Sequence, residues 1–150
     1  MSQGRPFTVA DAVALAFAAH EGQVDKAGHP YIDHVLRVML DVRGEEVRMA
    51  AALHDVLEDS EITVVDLYER GCPVEVVSAV VAVTKRPGEP TEDYLNRVAA
   101  DPMALEVKRA DIADNSDPGR LAELPDAEAE RLRTKYAEYA RLLEELSSRP

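Results

Sequence analysis

The chain has 150 residues, is 46% hydrophobic and carries a formal net charge of −12. That length suits one compact domain spanning 1–150, with its core from about 8 to 146, and the acidic balance argues against duplex nucleic acid as a partner, because such binding rests on Lys/Arg contacts to phosphate. A lone cysteine, Cys72, excludes an internal disulfide, and the longest apolar stretch, Val74 to Val83, is interrupted by Glu75 and Ser78 and too short for a membrane span.

Helical spacing dominates the chain. Thr8 to about Gly22 reads as a first helix, capped by Thr8 with Asp11 three residues on. Gln23 to Pro30 is a loop broken by Gly28 and Pro30, with Lys26 inside it. A second helix runs from Tyr31 to about Val42 and carries His34 in its first turn. The third is expected without interruption from about Glu45 to Glu58. Thr63 caps a short helix to Arg70, and Pro73 opens the valine-rich one that follows. That stretch reads as helix rather than strand, since Glu75, Ser78 and Ala79 break any alternation and no second apolar run offers a partner. Thr91 is expected to cap the next helix, which ends near Asp101, and Pro102 opens another, to about Asn115. Arg120 to Pro125 reads as a link, and Asp126 to about Ser147 as a long packing helix without chemistry. The expectation is all-α, a single-domain bundle of about eight helices. Its core is Ala, Val and Leu, because Trp is absent and only two Phe are present. The opening Met-Ser-Gln-Gly-Arg-Pro shows no secretory pattern, so a cytoplasmic location is expected.

The chemistry concentrates between Met49 and Asp59. An Ala/Leu-rich run there carries His54-Asp55 and, one turn later, Glu58-Asp59. On a continuous helix these four occupy neighbouring sectors of one side. Three carboxylates so crowded repel one another and are costly to bury without a counter-charge. A divalent cation is the simplest compensation; a solvent-facing acidic helix end is the competing reading. His34 and Asp111, on other helices, complete a candidate set of two imidazoles and two carboxylates with His54 and Asp55. Mixed N/O sites suit Mn²⁺, Fe²⁺ or Zn²⁺, and open positions favour six-coordinate Mn²⁺. Lys108, Asp111 and Asn115 share one helical face, either solvated or turned to the same pocket.

The order His…His-Asp…Asp on a helical chain resembles that of the HD-domain phosphohydrolases. Gly28-His29-Pro30-Tyr31-Ile32-Asp33-His34, Ala51-Ala52-Leu53-His54-Asp55-Val56-Leu57-Glu58-Asp59, Val83-Thr84-Lys85 and Lys108-Arg109-Ala110-Asp111 with Asn115 resemble the hydrolase domain of the RelA/SpoT group and its small stand-alone alarmone hydrolases. The resemblance implies metal ligation by His34, His54, Asp55 and Asp111. It implies that Glu58 and Asp59 activate or orient the attacking water, and that Lys26, Lys85, Lys108 and Asn115 lie in or near a nucleotide pocket. The activity it implies is Mn²⁺-dependent removal of the 3′-pyrophosphate from guanosine tetra- and pentaphosphate, a small phosphorylated nucleotide being the partner and a homo-oligomer being compatible with it. Four positions depart from the group's pattern. Asp25 stands where the group has an Arg that packs on the guanine, Ile112 replaces an Arg, and Ser116-Asp117 follow Asn115 in place of Met/Leu-Arg. Two further readings therefore stay open: an HD phosphohydrolase for another nucleotide or phosphoester, and a catalytically idle nucleotide- or metal-binding module.

Overall fold

The computed structural model describes residues 5–149, and the chain's opening Met-Ser-Gln-Gly lies outside them. Among the described residues there are ten helical segments. These are α1 (Val9–Ala19), α2 (Tyr31–Leu40), α3 (Glu45–Leu53), α4 (Val56–Asp59), α5 (Val64–Glu69), α6 (Val74–Val83), α7 (Thr91–Ala99), α8 (Pro102–Asn115), α9 (Pro118–Leu121) and α10 (Asp126–Ser147). The only β feature among them is an isolated antiparallel bridge between Val24 and Pro30, which closes the first loop. None of these helices is long and apolar enough to cross a membrane.

The core is organised around α3. Met49 to Leu53 are all buried, and α1, α2, α6 and α8 pack around them. Three consecutive alanines, Ala50 to Ala52, explain this placement: a helix apolar all round is buried all round, and small side chains let neighbours approach closely. Gly44 begins α3 at φ 104°, a left-handed value that glycine adopts without steric cost. Valines fill the layer beyond. Val76, Val77 and Val80 of α6 are buried, so the valine-rich stretch is helical. A smaller cluster of Leu121, Ala129 and Leu132, flanked by Leu124 and Tyr136, joins α9 to α10.

Local signals behave as their chemistry requires. Thr8 and Thr63 each form a reciprocal capping box, with Asp11 and Asp66. Asp101 caps α8 by accepting from the amides of Met103 and Ala104. Thr91 does not cap α7: Pro90 occupies that position and Thr91 is the first helical residue. The segment count rises from the expected eight because α9 forms between α8 and α10, overlapping only the start of the expected link, and because the third helix breaks at His54-Asp55. The carbonyl of Ala51 causes that break. In a continuous helix it would accept from the Asp55 amide. Here it accepts instead from the His54 amide at 3.3 Å and the His54 ring Nδ1 at 2.6 Å. A side chain competing for a backbone acceptor ends the ladder, and Asp55 turns to φ −108°, ψ 2° before α4 begins.

Burial sets the response to truncation. Leu95 on α7 is fully buried, whereas Leu40 is 67% exposed. Leu95→Ala should cost about 2–5 kcal/mol, and Leu40→Ala should stay within about 0.5 kcal/mol, both read from urea unfolding curves.

Candidate metal centre

Two helices and the break after α3 bring four side chains to one point. His34 comes from α2, His54 and Asp55 from the α3–α4 break, and Asp111 from α8. One ligand atom from each lies within 4.8 Å of all the others. The Nε2 of His34 is 3.0 Å from Asp111 Oδ1, and that of His54 is 2.9 Å from Asp55 Oδ2 and 3.3 Å from Asp111 Oδ1. Yet both Nε2 atoms are buried without a hydrogen-bonding partner: they are close to the oxygens but not aligned for N–H donation.

The opposite ring nitrogens explain this. His54 Nδ1 donates to the Ala51 carbonyl, which can only accept. His34 Nδ1 lies 2.7 Å from the Asp114 carboxylate. In the neutral rings both Nε2 atoms are therefore lone pairs, directed with carboxylate oxygens at a common centre. Lone pairs and anions converging in a buried space are a donor set for a divalent cation, and a mixed N/O set of this kind fits Mn²⁺, Fe²⁺ or Zn²⁺.

The protein supplies its own counter-charges around this point. Burial alone would push Asp111 up, but Lys108, with its Nζ at 2.9 Å, and the two imidazoles hold it well below the usual carboxylate range. The Lys108 ammonium, buried too, is kept charged against its burial by Asp111 and the ring of Tyr94. Burial would likewise lower His54 and His34. The nearby carboxylates outweigh burial, Asp55 and Asp111 beside His54 and Asp111 and Asp114 beside His34, and both rings are raised. Tyr31 donates to Asp55 Oδ2 at 2.5 Å and packs its ring between those of His20 and His34.

The remaining expected residues are divided between adjoining spaces. Glu58, Lys85, Lys108 and Asn115 line a cavity of about 200 Å³ together with His54, Asp55 and Asp111. The Lys85 amide donates to Glu58 Oε1 at 3.1 Å, and Asn115 donates to Asp111 at 3.1 Å. Lys26 is not in that cavity; it lines a neighbouring one of about 240 Å³ with apolar walls of Leu121, Leu124 and Leu132, and its Nζ lies 3.6 Å from Glu128. Tyr31, Asn115 and Tyr136 border both. Asp59 parts from Glu58: neighbours on the α4 helix face different ways, and Asp59 lines a wide groove with Gln23 and Arg70.

Several residues at the site carried no signal that sequence reading used. Helix α10 packs against α7 and α8, but it also presents Lys135, Tyr136 and Tyr139 to the metal-side cavity, which corrects its reading as a helix without chemistry. Asp114 and Arg120 were missed as well. Arg120 reaches both Asp114, at 2.7 Å, and Asp25, at 3.1 Å. Asp25 in turn accepts from the amides of Ala27 and His29, so it shapes the first loop.

The fold and the donor set together define an HD-type helical protein around a candidate metal centre. No family model matches the chain. A solved structure of a metazoan ortholog of SpoT that hydrolyzes ppGpp superposes with a TM-score of 0.75 at 25% identity, covering 93% of this chain and 85% of that one. A guanosine-3′,5′-bis(diphosphate) 3′-pyrophosphohydrolase of Aquifex aeolicus is 34% identical over 116 residues, 69% of this chain and 16% of that protein. The protein of that name from Vibrio cholerae is 46% identical over 57 residues, 35% of this chain and 8% of that protein. The chain's homologues are thus SpoT/RelA-type guanosine-3′,5′-bis(diphosphate) 3′-pyrophosphohydrolases, and it spans only a small part of the length of these curated relatives.

Asp59 gives a pH test. Burial, then the Asp55 and Glu58 charges, raise its carboxyl from 3.8 to about 6. Below 3.8 it is protonated folded or unfolded and contributes nothing. Between 3.8 and about 6 the unfolded chain ionises first, so stability falls as pH rises, and the full penalty persists above that window. Asp59→Asn should therefore raise the melting temperature of metal-free protein at pH 7–8 and leave it nearly unchanged below pH 4, as followed by circular dichroism.

Proposed function

We propose that the chain is a divalent-metal-dependent phosphohydrolase that removes the 3′-pyrophosphate from guanosine 3′,5′-bis(diphosphate), with Mn²⁺ as its metal. The observation that carries this reading is the convergence of two imidazole lone pairs and two carboxylates within 4.8 Å, beside a cavity lined by cations. The names of the relatives supply the substrate, and residues 8–146 are read as one catalytic unit.

His34, His54, Asp55 and Asp111 would hold the ion. When bound, it supplies Lewis acidity toward a phosphoryl oxygen and lowers the pKa of a water. Glu58, fixed by the Lys85 amide at the cavity wall, orients the attacking water and accepts its proton. Lys85, Lys108 and Lys135 offset charge on the phosphoryl oxygens and the leaving side. The apolar second cavity takes the nucleoside, with Lys26 and Arg120 on its wall and Asn115 at the junction. A guanidinium held along its edges by Asp25 and Asp114 keeps its faces available for a planar base. Asp25 itself cannot stack as a cation, which favours, as a second reading, the same chemistry on a different nucleotide.

The decisive assay incubates the chain with Mn²⁺ and a panel of nucleotides and identifies the products. Pyrophosphate released from guanosine tetraphosphate supports the first reading. Single phosphate released only from other nucleotides selects the second, and no release from any, with binding retained, leaves an idle binding module. Asp55→Ala and His54→Ala should abolish Mn²⁺ binding in calorimetry. Glu58→Gln should keep the ion and lose roughly 10²–10⁴-fold in kcat.

A further inference from the structure

Opposite the metal-facing edge of His34, one carboxylate gathers three partners. Asp114 Oδ2 lies 2.7 Å from His34 Nδ1 and accepts from Arg120 Nη1 at 2.7 Å, while Asp114 Oδ1 accepts from Arg37 Nε at 2.8 Å. The pattern is reciprocal between two helices. On α2, His34 and Arg37 are three residues apart; on α8, Asp111 and Asp114 are three residues apart. Each pair therefore lies on one helical face, and the two faces meet. Asp111 meets the Nε2 edge of His34, and Asp114 meets its Nδ1 edge. His34 is 1% exposed, so with Asp114 in place its Nδ1 is shielded from solvent.

We propose that Asp114, braced by Arg37 and Arg120, is a positioning residue that fixes the tautomer and plane of His34 so that its Nε2 lone pair faces the ion. A carboxylate on the far nitrogen of a ligating imidazole orients the ring and raises its basicity. Arg37 grips both oxygens, through Nε on Oδ1 and Nη2 on Oδ2 at 3.2 Å, and Arg120 adds a second donor to Oδ2. Arg120 extends the brace to Asp25, so the first loop and the metal ligand share one hydrogen-bonded framework. Asp114 is neither among the four clustered donors nor on the walls of the two cavities beside them, and acts through His34.

The inference rests on the metal reading above, and the experiment separates the two. Mn²⁺ affinity is measured by calorimetry, and the full-length chain labelled with ¹⁵N-histidine is loaded with Zn²⁺ as a diamagnetic probe. His34 is expected to show a protonated Nδ1 and a metal-bound Nε2. Asp114→Ala should weaken Mn²⁺ and Zn²⁺ binding by about 10–100-fold, with unchanged far-UV circular dichroism. Asp114→Asn, whose carboxamide oxygen still accepts from Nδ1, should recover part of the loss. Parent-like affinity in Asp114→Ala overturns the proposal while leaving the metal reading intact. So does a metal bound through His34 Nδ1 in the unsubstituted chain, a result that decides the matter even where the alanine variant does not fold. An unsubstituted chain that binds neither ion overturns both.

Discussion

Everything in this protein turns on how a set of buried opposite charges is kept from being a liability. Asp55 and Asp111 sit within hydrogen-bonding distance of two imidazoles in the interior, where an unpaired carboxylate is very costly. Lys108 balances one charge from within the protein, and the imidazoles respond to the rest by holding protons more tightly. A divalent ion bound there would compete with these protons for the same lone pairs, so loading the site would release protons. The framework around the centre opposes collapse of that arrangement: each imidazole is held at its far nitrogen, His54 by a backbone carbonyl and His34 by Asp114.

The fold serves this centre by keeping the helices that meet there from moving independently. Helix α3 packs against α1, α2, α6 and α8 and ends at the His54-Asp55 pair. Its alanines allow α1, α2, α6 and α8 to come close, and close backbones make short side chains such as Asp111 sufficient to reach the centre. Beyond it the environment changes over a short distance. The cavity beside the ligands is lined by lysines and a carboxylate, while the adjoining one has leucine walls. A charged phosphate end and a flat apolar end of one molecule match that gradient.

Much of this was legible in the residues. The capping boxes at Thr8 and Thr63 and the helical spacing of Val9 to Phe17 fixed elements locally, and the His-Asp pair marked the centre because acidic residues in an alanine-rich run demand a reason. The break at His54-Asp55 was not legible, since it depends on which donor the Ala51 carbonyl accepts. Thr91 has the chemistry of a cap, but Pro90 holds that place. Lys135 and Tyr139 looked like ordinary surface and packing positions on α10; only the approach of α7 and α8 turns them into cavity wall. Asp114 and Arg120 were invisible for a related reason: their partners lie 80 and 95 positions away in the chain.

That last separation has a consequence for how the molecule comes into being. Helical segments form locally and fast, whereas contacts between distant positions must await loop closure. As the polypeptide emerges from the ribosome, His34 waits through 80 further residues for Asp114, and Asp25 through 95 for Arg120. A chain made only as far as α7 has much of its bundle core but no finished pocket, so assembly of the pocket awaits α8 and α10.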